Sequence, residues 1–254
     1  MNSSNLDFIL VIIPVLNEEA TIAKVIHSLQ AIGLHHIRVV DNGSRDRSTE
    51  MAFKAGAKVF YEPIPGYGRA CWRGLQAMPD FIQWVLFCDG DGSDDISALN
   101  HFLSFCDSPS KQQSQPCDLI LGDRTATAAG RAALTPVQRF GNELATTLIW
   151  MGWGYRYRDL GPLRLIRRAA LDQIQMQDRG FGWTVEMQVR AIECGLLICE
   201  LPVNYQCRQG GRSKISGTVR GSIRAGIVIL TTLGRLYGRR WLKQIKAIKG
   251  VIRW

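Results

Sequence analysis

The chain lacks a membrane-spanning run, a paired-cysteine motif, either common phosphate-binding glycine loop and, over its last fifty residues, any acid. Each absence removes a class of protein. In the C-terminal segment the longest uncharged run, Ala225 to Gly234, is about half the length that crosses a bilayer. The seven cysteines (Cys71, Cys88, Cys106, Cys117, Cys194, Cys199, Cys207) include no C-x-x-C pair. The four histidines (His27, His35, His36, His101) keep no ligand-like spacing with them, so no zinc site is visible. An odd, scattered cysteine set without a signal-peptide pattern reads as reduced thiols in a cytosolic protein. The first strand–helix turn has neither G-x-G-x-x-G nor G-x-x-x-x-G-K-[ST], which argues against a dinucleotide-binding domain and a P-loop NTPase. No internal repeat is evident.

The missing acid divides the chain. Tyr205 to Trp254 carries twelve Lys/Arg and no Asp/Glu, against a net +9 for all 254 residues, so the preceding body is close to neutral at −3. A basic end of this kind suits an anionic membrane surface, an anionic substrate or nucleic acid. Aromatic and basic residues are not interleaved on strands, which argues against nucleic acid. The composition, 46% apolar and 21% charged, is that of a globular protein with one large core.

What is present is a repeating strand–helix pattern. Phe8 to Ile13 is a continuous apolar, β-branched run closed by Pro14, the pattern of a strand buried on both faces. Ile22, Val25, Ile26 and Leu29 follow at helical spacing. Further strands are expected at Ile37–Asp41, Lys58–Tyr61, Gln83–Cys88, Asp118–Gly122, Leu163–Arg167 and Leu196–Tyr205. Helices are expected at Ser48–Ala55, Ala70–Met78, Ile96–Phe105, Pro136–Trp153 and Thr184–Cys194. Ser108–Pro116 reads as a polar surface loop and Thr125–Leu134 as a flexible loop or lid. The alternation implies an α/β fold: a mostly parallel twisted sheet with helices on both faces. The body is expected to span 1–219. From Arg220 to Trp254 a basic amphipathic helical tail follows. Leu242, Ile245, Ile248, Val251 and Ile252, with Trp241 and Trp254, form an apolar face that suits either a membrane interface or packing on the sheet.

The densest chemistry lies where the fourth strand ends, at Asp89-Gly90-Asp91-Gly92-Ser93-Asp94-Asp95. Open α/β sheets bind ligands at the carboxyl ends of their strands. Asp89 and Asp91 are two apart on an extended strand end, so both can project into one site. Two hard oxygen ligands suit Mg²⁺ or Mn²⁺ when a substrate phosphate completes the shell. The alternative is a solvated acidic turn.

Six segments in order resemble family 2 glycosyltransferases, and within them the polyprenyl-phosphate sugar transferase branch. They are Ile12 to Glu19, Val39 to Asp46, Gly66 to Ala70, Asp89 to Ser93, Gly122 to Arg124, and Arg208 to Lys214. The resemblance implies a GT-A-type nucleotide-diphospho-sugar transferase domain, a divalent metal and inversion at the anomeric carbon. It implies a donor pocket lined by Pro14, Asn17, Glu19 and Asp41, with Gly66 and Gly68 letting backbone approach the donor and Arg69 supplying charge. Asn17 could equally cap the first helix. Asp91 is the expected metal ligand, with Asp89 toward metal and donor ribose or sugar. Arg124 and Arg139 match arginines of that branch that meet an acceptor phosphate; Arg139 could equally be a surface charge. Arg208, Arg212, Ser213 and Lys214 form a basic loop suited to cover the diphosphate or acceptor phosphate.

An alcohol acceptor needs a general base, for which Asp159, Glu186 and Asp94 or Asp95 are the evident carboxylates. A phosphate acceptor is already ionised and can attack directly. Glu186, at a helix start, could instead be a dipole partner. The arginines and the tail favour transfer of a hexose from a UDP- or GDP-linked sugar to a polyprenyl-phosphate-type lipid, by a protein lying on the cytoplasmic face of a membrane. Transfer to a soluble or hydroxyl acceptor is the near alternative, and a sugar nucleotidyltransferase the more distant one. The sequence leaves the oligomeric state open.

Overall fold

The computed structural model describes residues 6–106, 117–206 and 219–251, with side chains of the last stretch at 226–242 and 245. The expected loop at Ser108–Pro116 and the basic loop with Arg208, Arg212, Ser213 and Lys214 lie outside the described residues.

Seven strands form one sheet in the order β3-β2-β1-β4-β6-β5-β7. They are β1 Ile9–Val15, β2 His36–Asp41, β3 Lys58–Tyr61, β4 Trp84–Phe87, β5 Leu119–Asp123, β6 Arg164–Arg167 and β7 Ile198–Pro202. Only β6 runs against the rest, pairing antiparallel with β4 and β5. The carboxyl ends of the other six strands and the amino end of β6 therefore share one edge. Alternation along the apolar runs splits the core. Ile9, Val11, Ile13 and Val15 of β1 join one cluster, while Leu10 and Ile12 join the other. Helices α1 Ile22–Ala31, α2 Ser48–Lys54 and α4 Leu99–Ser104 cover the first face. The second is covered by α3 Tyr67–Leu75, α6 Pro136–Trp153, α7 Arg168–Ile174, α8 Trp183–Glu193 and α9 Val219–Val251.

Several boundaries differ from expectation for physical reasons. Pro14 does not close β1, which continues to Val15. The Ile12 carbonyl accepts from Cys88 N and the Val15 carbonyl from Asn42 N, so the missing N–H of Pro14 faces β4 just beyond its last ladder pair. Helix α3 ends at Leu75 because Arg38 of β2 donates to the Gly74, Gln76 and Ala77 carbonyls, a cation seated on the helix C-terminus. The flexible loop expected at Thr125–Leu134 is instead a helical turn, α5 Ala128–Ala133, capped by the Thr127 hydroxyl, which accepts from Gly130 N. Helix α6 has the expected bounds, set by a Thr135/Gln138 capping box, Pro136 in the first turn and a left-handed Gly154. The thiols are not all reduced: Cys117, before β5, and Cys199 of β7 form a disulfide, while Cys71, Cys88 and Cys194 are free.

The basic tail is one helix for most of its length, and its middle packs on the body. Thr232, Leu233 and Leu236 are buried, the Tyr237 ring lies 4.7 Å from that of Trp153, and its hydroxyl donates to the Leu148 carbonyl. Gly152 makes room for that ring, since a Cβ there would collide with it. Among the described residues no helix is long and apolar enough to cross a membrane. Since Leu233 is 1% exposed, Leu233→Ala is expected to lower global stability by about 2–5 kcal/mol in denaturant unfolding. An unchanged midpoint would mean that the helix does not belong to the cooperative unit.

Candidate active site

At the ends of β1 and β2 the loops are bolted to each other. Asn17 sits at φ 54°, donates its N–H to the Ser44 hydroxyl, and accepts at Oδ1 from Arg45 N. It does not cap α1, which follows Thr21. Glu18 N donates to the Ser48 hydroxyl, Glu19 N to Asp46, and Arg47 N to the Glu19 carboxylate. Asp41 is buried and accepts from Gly43 N and Ser44 N. Side chains thus preform the wall where Pro14, Asn17, Glu19 and Asp41 were expected to line a donor pocket.

The glycines after β3, expected to let backbone approach a donor, lie against another part of the protein. A Cβ on Gly66 or Gly68 would run into the backbone of Asp178 and Arg179. Gly68 N donates to the Gly180 carbonyl and Arg69 N to that of Arg179. The close approach is therefore between two protein segments, with Arg69 fixed through its backbone at their junction.

Beyond β4 the acids divide into roles. Asp91 is 8% exposed and its Oδ1 accepts from both N–H and hydroxyl of Ser93. Asp89, partly exposed, donates its N–H to the carboxylate of buried Asp94. Burial pushes the Asp94 carboxyl up to about 7; the Asp89 N–H acts against that, and the nearby Asp91 charge adds to it. Asp95 accepts from Ala98 N and Asn204 N, which joins this turn to the exit of β7. The Thr21 hydroxyl donates to the Gly90 carbonyl from the other side. Among the described residues no three His, Cys, Asp or Glu side chains gather as a metal cage. Asp89 and Asp91 are still a fitting donor set for Mg²⁺ or Mn²⁺, which keep several water or phosphate oxygens and bind through one or two carboxylates.

After β5, Arg124 donates through Nε and Nη2 to the two oxygens of Asp159, at 2.7 and 2.8 Å, and its N–H adds a third bond. The Asp159 side chain is fully buried and that of Arg124 is 12% exposed. Burial alone would lower the guanidinium pKa, yet Asp159 outweighs it and holds the group firmly charged. The Tyr205 ring lies 4.9 Å beneath. Both oxygens of Asp159, a candidate base by sequence, accept from that one cation. Glu186, the other such carboxylate, is also held by protein groups. It is buried, and its Oε2 accepts from Gln177 N and Asp178 N, holding the loop against which Gly66 and Gly68 pack. Arg139 is exposed on the first turns of α6, where its Nε donates to the Leu134 carbonyl.

Sequence reading passed over Arg164. It is the first residue of β6, opposite Phe87 of β4, and has no solvent exposure. Its guanidinium donates to the carbonyls of Gly161, Pro162 and Thr184, so a cation joins the turn after Asp159 to the start of α8. Burial lowers its pKa, while Tyr67, Cys71 and Asp159 pull the other way. An arginine inside an alternating apolar strand was the available signal.

Residues 10–174 match the family described as Glycosyl transferase family 2. An uncharacterized glycosyltransferase of Mycobacterium tuberculosis is 36% identical over 223 residues, 85% of this chain and 94% of that protein. The dolichyl-phosphate hexose transferase of Haloferax volcanii is 29% identical over 83% of this chain and 88% of its own. In fold, the chain superposes on glucosyl-3-phosphoglycerate synthase from Mycobacterium tuberculosis, solved with Mn²⁺, UDP-glucose and phosphoglyceric acid. That match has a TM-score of 0.71 at 20% identity and covers 93% of this chain and 82% of that one.

The raised Asp94 carboxyl has a testable sign. Between about pH 4 and pH 7 the folded chain holds a proton that the unfolded chain has released, so this group's contribution to stability falls as pH rises. In metal-free protein, the Tm of Asp94→Asn minus that of wild type is expected to grow from pH 5 to pH 8. A difference that stays flat contradicts the assignment.

Proposed function

The chain belongs to glycosyl transferase family 2, and from that premise we propose an inverting, metal-dependent hexosyltransferase that moves a hexose from a UDP- or GDP-linked sugar to a polyprenyl-phosphate-type lipid. The observation that carries the acceptor assignment is the Arg124–Asp159 pair. A guanidinium locked in place at a strand end, whose Nη1 takes no part in that pair, is a preorganised phosphate site. The likeness to a dolichyl-phosphate hexose transferase over 83% of the chain supports the same acceptor class.

A phosphate monoester needs no base. One of its oxygens bonds to the anomeric carbon from the face opposite the leaving group, and the bond from that carbon to the nucleoside diphosphate breaks. The protein's task is placement and charge. Pro14, Asn17, Glu19 and Asp41 seat the nucleoside on the rigid β1–β2 wall. Asp89 faces ribose or sugar, and Asp89 with Asp91 would hold Mg²⁺ or Mn²⁺. When bound, the metal neutralises the charge of the departing diphosphate. Arg124 orients the acceptor phosphate, with Arg139 and the segment bearing Arg208, Arg212, Ser213 and Lys214 as further cations. Arg69 remains the donor-side cation. Asp159 and Glu186 position other groups and move no proton. The basic tail places the protein on the cytoplasmic face of a membrane.

A soluble phosphorylated acceptor is the second reading, favoured by the fold neighbour whose complex contains phosphoglyceric acid. An acceptor panel decides. With each nucleotide sugar and Mn²⁺, transfer to a short-chain polyprenyl phosphate is expected and transfer to phosphoglycerate is not; the reverse result would replace the lipid by a soluble acceptor. Asp91→Ala should lower turnover by about 100-fold or more and abolish the metal-dependent thermal shift given by the donor. Full activity in that variant would refute the metal assignment.

A further inference from the structure

Two neighbouring helices leave large apolar side chains in water. On α6 these include Val137, Phe140 and Met151, and on α9 Ile227, Leu230 and Trp241, all between 43 and 70% exposed. Their spacing is not scattered. With about 100° per residue, Val137, Phe140, Leu148 and Met151 fall on one stripe of α6, turned away from the buried Ala145 and Ile149. That stripe adjoins Leu148 and Gly152, where Tyr237 of α9 docks. On α9 the body-facing side carries Leu233, Leu236 and Tyr237, and Ile227, Leu230 and Trp241 fall about a quarter turn away, on the Tyr237 side. The two stripes flank one seam.

Charge selects the occupant. Helix α9 contains eight Lys/Arg and no Asp/Glu from Val219 to Val251, so a second copy docked through this helix would set like charges together. An anionic bilayer surface complements it, and the partly polar indole of Trp241 suits the headgroup depth. No described helix can cross a bilayer, so the face rests on the surface. We propose that the outer stripe of α6 and the adjoining stripe of α9 together form a docking face for anionic phospholipid. The tail is thus one half of the membrane contact and the catalytic body supplies the other.

The placement has a consequence for the site. Asn142 of α6 donates through Nδ2 to the Arg158 carbonyl and accepts at Oδ1 from Leu160 N, bracketing Asp159 and therefore Arg124. The helix that lies on the lipid also holds the loop that aims the acceptor cation. For its purpose the inference rests on the lipid-phosphate reading above, though vesicle binding is measured without any acceptor.

The test uses full-length protein, co-sedimented with vesicles of phosphatidylcholine alone or mixed with phosphatidylglycerol. Wild type is expected to pellet with the mixed vesicles only. A Phe140→Ser/Met151→Ser double variant, altered at exposed sites on the body, should lose about tenfold or more in vesicle affinity, and Trp241→Ser should lose a similar amount. Both should keep wild-type turnover on a short-chain, water-soluble polyprenyl phosphate. The proposal is overturned if wild type ignores anionic vesicles, or if the α6 variant binds like wild type while Trp241→Ser does not. It is also overturned if wild type is a dimer in sedimentation velocity that the α6 substitutions dissociate. Failure of wild type to glycosylate the short-chain lipid phosphate, with vesicle binding intact, would instead refute the acceptor reading and leave the docking face standing.

Discussion

A buried arginine–aspartate pair ties the end of β5 to the segment that enters β6. Asp159 lies in the segment that leads into β6, and Arg124 leaves the end of β5. Their two charge-assisted bonds close the edge where the antiparallel strand enters an otherwise parallel sheet. Removing one member would strand the other as an uncompensated buried charge, a cost of about 3–5 kcal/mol in typical proteins. Neighbouring groups serve the pair. Gln188 Nε2 donates to the Asp159 carbonyl, Glu200 accepts from the Arg158 and Asp159 amides, and a Cβ on Gly161 would press tightly on Gly122, Asp159 and Arg124. A charge held this rigidly can meet an anionic substrate without reorganising, which is the condition for electrostatic catalysis.

The same economy runs along the whole sheet edge. Loops are fixed by side chain to backbone bonds that cross between elements: Asn17 to the turn after β2, Asn42 to the segment after β3, Glu186 to the loop beside α3, Asp95 to the exit of β7. Each bond spends a polar side chain to hold a backbone curve that no ladder stabilises. Asp89, Asp91 and Arg124 lie along that same edge, at the ends of β4 and β5.

Much of this was legible in the residues. Apolar runs split between two core clusters, as β1 and β4 do, declare strands buried on both faces, and the five family-like segments among the described residues fall at loops on one edge or at its margins. What stayed illegible has a common cause. Asp159 and Glu186 are carboxylates near a site, and sequence cannot distinguish an acid that meets substrate from one that meets backbone or arginine. That distinction depends on partners 35 and 8 residues away. At Gly66 and Gly68 the backbone that comes close belongs to Asp178 and Arg179, over a hundred positions on, a contact no local pattern announces. Pro14 stayed in its strand because its neighbour's ladder had already ended. Arg164 looked like one polar position in an alternating strand and proved to be a fully buried cation bound by three carbonyls.

The central claim is that Arg124, aimed by Asp159, recognises the acceptor phosphate and does not act on the donor. Steady-state kinetics of Arg124→Lys test it most directly, since lysine keeps the charge and loses the planar two-point geometry. The account predicts that KM for the phosphate acceptor rises by about tenfold or more while KM for the nucleotide sugar stays close to wild type. A rise confined to the donor KM, or unchanged values for both, would contradict it.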